Sequence, residues 1–220
     1  MYTKIFFCII DLLAILDLSL TIRSLKKIKE KYSLWLNQAL VSGIVAIIAN
    51  IFIALSVDPQ MAKFSYCMYY VALNWIIFFL CGFCIAYTEP DKSLKLLKIT
   101  AIVLLGLDSL EMMSNLFFGQ VFTIYETVNA SGVVFYQSRY YGPYYIHLIL
   151  DYAAVIVAFI YLIHGMRINK SVYRVKYTII IGVLLLVVAL NGIYMMFSLP
   201  LDISVVFYAI AGSLIYFSIA

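Results

Sequence analysis

Seven apolar runs, each about twenty residues long, leave this chain few folds to adopt. They cover residues 5–22, 34–57, 64–87, 96–118, 144–166, 177–199 and 203–220. The hydrocarbon core of a bilayer takes about 20 apolar residues per crossing helix, with a range of roughly 17–25. Backbone N–H and C=O groups in lipid must pair within their own segment, so the runs are helices. The strict alternation of barrel strands is absent. Charged residues make up 12 % of the chain and hydrophobic ones 65 %, whereas an ordinary soluble domain carries about 25 % charged residues. So few charges cannot cover a soluble surface, which excludes a soluble enzyme, a disordered chain and a nucleic-acid binder. The expected fold is an all-α membrane protein, a seven-transmembrane bundle forming one domain over residues 1–220.

The two ends of the chain need separate readings. Asp11 and Asp17 interrupt the first run, and no small-residue cleavage site follows it. A signal peptide needs an uninterrupted apolar centre, so this run is read as a helix with one polar face. The last run is still apolar at Ala220 and has no basic anchor behind it. The expectation is a cut inside or just after the seventh helix, with a cytoplasmic output domain beyond it.

Lysine and arginine fix the orientation. Arg23, Lys26, Lys27, Lys29 and Lys31 fall between the first two runs, and Lys92, Lys95 and Lys98 lie at the third connection. Arg167, Lys170, Arg174 and Lys176 lie at the fifth. The opposite side keeps only Lys4, Lys63 and Arg139 of the 15 basic residues. Basic loops stay in the cytoplasm, so the N-terminus is expected outside and the C-terminus inside. One outer connection is long, residues 119–143. Its β-branched and aromatic stretches, 121–125 and 133–136, flank the turn-like Asn129-Ala130-Ser131-Gly132. That pattern predicts a β-hairpin over the outer mouth of the bundle, with Phe122, Tyr125, Phe135 and Tyr136 at least partly buried. Asn129-Ala130-Ser131 also fits a glycosylation acceptor, a short and common pattern.

With the orientation set, the polar groups inside the spans gather toward the outer side. Asp108 and Glu111 are three apart on the fourth helix, and His147 and Asp151 four apart on the fifth; each pair shares a helix face. Tyr66, Tyr70 and Asn74 form a stripe on the third, Asn50 and Asn191 lie near the outer ends of the second and sixth, and Asp11 lies on the first. Ionisable groups in a span are costly and turn toward the bundle interior. Two readings follow: hydrogen-bonded pairs that hold helices together, or a small-molecule pocket between helices. The preference for one side of the bilayer favours a pocket, open to the outside and roofed by the long loop. Its expected ligand-binding residues are Asn74, Asp108, Glu111, His147, Asp151, Asn191 and Tyr70. Carboxylates beside tyrosine faces suit a cationic or amine-bearing ligand.

Other chemistries lack support. Cys81 and Cys84 have the spacing of a redox or zinc pair but sit in an apolar run without a second pair, and Cys8 and Cys67 suggest no disulfide framework. His147 and His164 lie toward opposite sides of the bilayer. No metal site, cofactor or phosphate-binding loop is expected. The seventh run has no lysine for a retinal Schiff base.

The chain resembles the N-terminal seven-transmembrane sensor region of bacterial histidine kinases and diguanylate cyclases. The resemblance extends from about Ser33 to Ala220. It rests on Ala86-Tyr87-Thr88-Glu89, on Tyr141-Gly142-Pro143 with His147 and Asp151-Tyr152, and on Asn191-Gly192. It also includes Leu201-Asp202-Ile203-Ser204 leading into Tyr208-Ala209-Ile210-Ala211-Gly212. It implies a non-enzymatic receptor module in the bacterial cytoplasmic membrane. Such a module senses a signal and relays it through the last helix to a kinase or cyclase, commonly as a homodimer. The competing reading is a transporter for a small solute or proton. Against it, the halves show no clear repeat, and polar groups do not continue through the inner half.

The orientation has a direct test. A reporter active only in the cytoplasm should work when fused after Lys29, Lys95 or Lys170 and stay silent at Ser131. Activity at Ser131 would reverse the topology.

Overall fold

In the apolar runs, backbone pairing within the segment produces seven α-helices among the described residues. A computed structural model of the chain describes residues 2–89, 95–128, 132–169, 171–197 and 202–220. The helices are α1 (Tyr2–Leu25), α2 (Lys31–Leu55), α3 (Pro59–Thr88), α4 (Lys95–Phe118), α5 (Gly142–Ile168), α6 (Ser171–Phe197) and α7 (Ser204–Ile219). Six are long and apolar enough to cross a membrane, and α7 is a shorter apolar helix. The protein is therefore a multi-pass membrane protein.

The helices start and stop where local chemistry allows, which is often beyond the apolar runs. The 30-residue α3 begins at Pro59 rather than near residue 64. Asp58 caps it: its Oδ1 accepts from the Gln60 and Met61 N–H groups at 2.9 and 2.8 Å. Proline fits the first helical turn because its missing N–H would be unpaired there anyway.

Helix α3 is the organising element. It packs against α2, α4 and α5, while α7 packs against α1, α2 and α6. Residues on several sides of α3 are buried, among them Ala62, Tyr69, Asn74 and Phe83. Gly82 lets α2 come close, since a Cβ there would lie only 2.2 Å from a carbon of the Trp35 indole. The bundle's outward faces carry exposed Leu, Ile and Phe side chains such as Leu12, Leu110, Ile156 and Phe217, as lipid-facing surfaces require.

The long connection forms an antiparallel hairpin, β1 (Phe122–Val128) and β2 (Val134–Tyr140), with Phe122 opposite Tyr140 and Val128 opposite Val134. Its expected turn, Asn129-Ala130-Ser131, lies outside the described residues. Asn115, fully buried near the end of α4, anchors the hairpin. Its Oδ1 accepts from the N–H groups of Val121 and Phe122, and its Nδ2 donates to the Phe122 carbonyl at 2.9 Å. Gly119, at φ 64°, supplies the left-handed step between helix and strand.

Phe122, Phe135 and Tyr136 are buried as expected, but Tyr125 is 41 % exposed. Strand alternation explains the difference. Phe122, Tyr136, Ser138 and Tyr140 share the face turned toward α3, whereas Tyr125 lies on the other face opposite Gln137, to which its hydroxyl donates at 3.0 Å. Phe135 is also on that outer face. It is buried near the hairpin tip against Ala54 and Phe7.

These contacts predict that Asn115→Ala destabilises the protein. It strands buried backbone groups worth about 1–3 kcal/mol each, so the unfolding midpoint should fall by several degrees and protease should cut the hairpin faster. Ser114→Ala, which removes only a bond to the helix's own Glu111 carbonyl, should change neither.

Candidate functional site

Two buried polar clusters occupy the hairpin end of the bundle, and a cavity lies between them. The first cluster centres on Asp108 of α4. Its Oδ2 accepts from Asn74 Nδ2 of α3 and pairs with His147 Nδ1 of α5, both at 2.7 Å. The second histidine nitrogen, Nε2, lies 3.5 Å from Asp151 Oδ2, one turn further along α5. Asp108, Asn74, His147 and Asp151 are all buried. The other oxygen of Asp151, Oδ1, is buried and has no hydrogen-bond partner within the protein.

The second cluster forms where α7 begins. Asp202 Oδ1 accepts from the Ser204 N–H at 2.8 Å and its hydroxyl at 2.6 Å, while Oδ2 accepts from the Tyr69 hydroxyl. Burial pushes the Asp202 carboxyl above the ordinary carboxylate range, and the donors on Ser204 and Tyr69 oppose that shift. Asn50 of α2 donates to both the Asp202 carbonyl and Asp11 Oδ2 of α1. Deeper in the bundle, Ser213 of α7 donates to Asp17 Oδ2 at 2.6 Å and shares a hydrogen bond with Thr21.

The cavity between α3, α5, α6 and α7 offers about 80 Å³ of water-accessible space. A water needs roughly 10–15 Å³ by that measure. His147, Asp151, Asn191, Tyr70 and Asp202 line its hairpin end, and Cys81, Ala158, Phe159 and Leu184 its deeper end. Of the residues expected to bind a ligand, Tyr70, His147, Asp151 and Asn191 thus reach the cavity. Asn74 and Asp108 stand behind His147 and hold it. Glu111, half-buried on α4, does not line the cavity. Hydrogen-bonded pairs and open space therefore coexist.

Asp202, Tyr69 and Tyr208 also line the cavity, although none of them is among the expected ligand-binding residues. An acid two residues before Ser204, where an apolar helix starts, was the available signal for Asp202. Tyr69 carries no such mark, because span periodicity does not separate cavity-facing from packed tyrosines.

The hairpin covers the outer end. The Tyr70 hydroxyl shares hydrogen bonds with Ser138 Oγ at 3.0 Å and the Tyr140 hydroxyl at 2.9 Å. Tyr140 stacks on Tyr144 with ring centroids 3.9 Å apart, and Tyr66 donates to the Tyr136 carbonyl. No group of metal-ligating side chains occurs among the described residues.

Fold and site together define a helical membrane module with a roofed internal cavity. The family model for the N-terminal seven-transmembrane region of histidine kinases matches residues 9–220, so the chain belongs to that family and is a transmembrane sensor region. A search of the curated proteins finds no match.

The Asp108–His147 pair has a measurable consequence. Removing one partner of a buried pair costs about 3–5 kcal/mol. Asp108→Ala and His147→Ala should each destabilise the bundle in bicelles, while the double variant falls short of additivity by at least about 1 kcal/mol. Additive losses would mean the two groups are not coupled.

Proposed function

We propose that this region receives a small-molecule signal in the cavity between α3, α5, α6 and α7 and relays its occupancy through α7 to a cytoplasmic histidine kinase. The observation that carries this reading is the position of Asp151. It is a buried carboxylate with an unpartnered oxygen on the wall of a cavity. Asp11, Asn37 and Asn74 also carry a buried oxygen without a partner, but of these residues and Asp151 only Asp151 lines the cavity.

The relay has a physical route. Asp202 and Tyr208 bring the α7 segment to the same cavity. Ser213, further down α7, is bonded to α1. A ligand contacting the top of α7 can favour one packing of α7 against α1 over another, limited by its differential affinity for the two. Charge asymmetry orients α7 toward the cytoplasm, where the kinase would follow.

The full-length protein in native membranes provides the test. Autophosphorylation should change by about fivefold or more in Asp151→Asn and Asp202→Asn, the lower end of ordinary coupling between sites. Leu110→Ala, on the exposed face of α4, should leave it unchanged. Unaltered rates in both carboxylate variants would contradict a link between cavity and output.

A further inference from the structure

The cavity is not symmetrical along its length or around its circumference, and both asymmetries bear on what fits it. Along α3 its lining runs from Tyr69 to Cys81. Twelve residues of helix rise about 18 Å, a little more than half the ~30 Å hydrocarbon core. The outer part carries the carboxylates, the histidine and several tyrosine hydroxyls, and the deeper part is hydrocarbon.

Around the circumference, Tyr69, Tyr70, Leu73 and Cys81 of α3 are buried. On α5, Tyr152 is 38 % exposed, and Val155 and Phe159 are half-buried; on α6, Val188 and Asn191 are half-buried. The open side is therefore the seam between α5 and α6. These helices are held together at their other end, where a Cβ on Gly165 would strike the Tyr177 ring and Asn169 Nδ2 donates to the Tyr177 hydroxyl at 3.2 Å. In a bilayer this seam faces acyl chains. Among the described residues, the Tyr140–Tyr144 stack and the hydrogen bonds of Tyr70 cover the hairpin end of the cavity.

The charges select a head group. Asp108 and Asp151 flank His147, Asp202 lines the same cavity as Asp151, and no lysine or arginine lines that cavity among the described residues. Asp108 is occupied by Asn74 and His147, and Asp202 by Ser204 and Tyr69. Asp151 retains the free oxygen, and the Tyr70 and Tyr144 rings line the same cavity, packed against His147. A cation gains from a desolvated carboxylate and from aromatic rings lining the same space. A slender chain suits so narrow a space.

Resting on the proposed pocket, we infer that its ligand is a single-chain cationic amphiphile that enters from the bilayer between α5 and α6. Its amine lies at Asp151 and its hydrocarbon chain runs toward Cys81 and Phe159.

Binding of dodecylamine to the full chain in lipid nanodiscs, with protein-free nanodiscs as the partition control, tests this. Dodecylamine should bind saturably. Butylamine, which has the head without the chain, and dodecanol, which has the chain without the charge, should bind at least about tenfold more weakly. Asp151→Asn should weaken dodecylamine by a similar factor by removing the charge, and Val188→Trp by filling the seam. Val188→Trp stays clear of the polar clusters, so its effect separates lateral access from head-group recognition. Equal binding of butylamine and dodecylamine, both lost in Asp151→Asn, would overturn the amphiphile while leaving the pocket. Equal binding of dodecanol and dodecylamine, indifferent to Asp151→Asn, would overturn the cationic head. Unchanged binding in Val188→Trp would overturn the lateral route. Failure of both amines to bind would remove the amine site together with the amphiphile.

Discussion

Asp108 is a carboxylate buried where three helices meet, and the geometry of the site depends on what it holds. Helix α4 reaches the bundle by packing on α3, and α5 packs on the same helix. The single oxygen Oδ2 of Asp108 takes Asn74 from α3 and His147 from α5, which fixes the rotation of all three. In hydrocarbon such a bond has no water to replace it, and an unpaired polar group there costs several kcal/mol. Once His147 is held, Asp151 is held too, one turn along the same face and aimed at the cavity.

The second constraint is at the start of α7. Asp202 is tied to α3 through Tyr69, and its backbone to α2 through Asn50, which also holds Asp11 of α1. The first residues of α7 therefore touch the cavity wall and three other helices at once. Ser213 binds α1 again deeper down. Under the proposed function, occupancy at Asp151 would be felt at Asp202 and Tyr208 and would act on the packing of α7 against α1. The hairpin, locked by Asn115 and by the tyrosines of α3, closes the outer end and leaves the lateral seam as the open side.

The spans and the hairpin were readable because lipid and strand alternation impose strong one-dimensional patterns. Helix ends were less so. Asp58-Pro59 extends α3 beyond its apolar run, a capping effect that hydropathy does not register. Tyr125 was misjudged because aromaticity was weighed and strand register was not. Depth and spacing brought His147, Asp151, Asn191 and Tyr70 to one place, since the charge asymmetry fixes which helix ends share a level. They could not separate the residues that face the cavity from those behind them. Asn74 and Asp108 differ from Asp151 only in rotation about their helices, which packing decides. Asp202 lies outside the apolar runs, so a search within spans passes over it.

Under the proposed function, a cytoplasmic kinase would read out occupancy of this cavity. Autophosphorylation of the full-length protein in liposomes, measured with and without dodecylamine, tests it most directly. Under the proposed function the amine changes the wild-type rate relative to its own basal rate, while Asp151→Asn stays at its own, altered basal rate whether or not the amine is added. An amine effect of the same size in both proteins, or none in a wild type that binds the amine saturably, would contradict it.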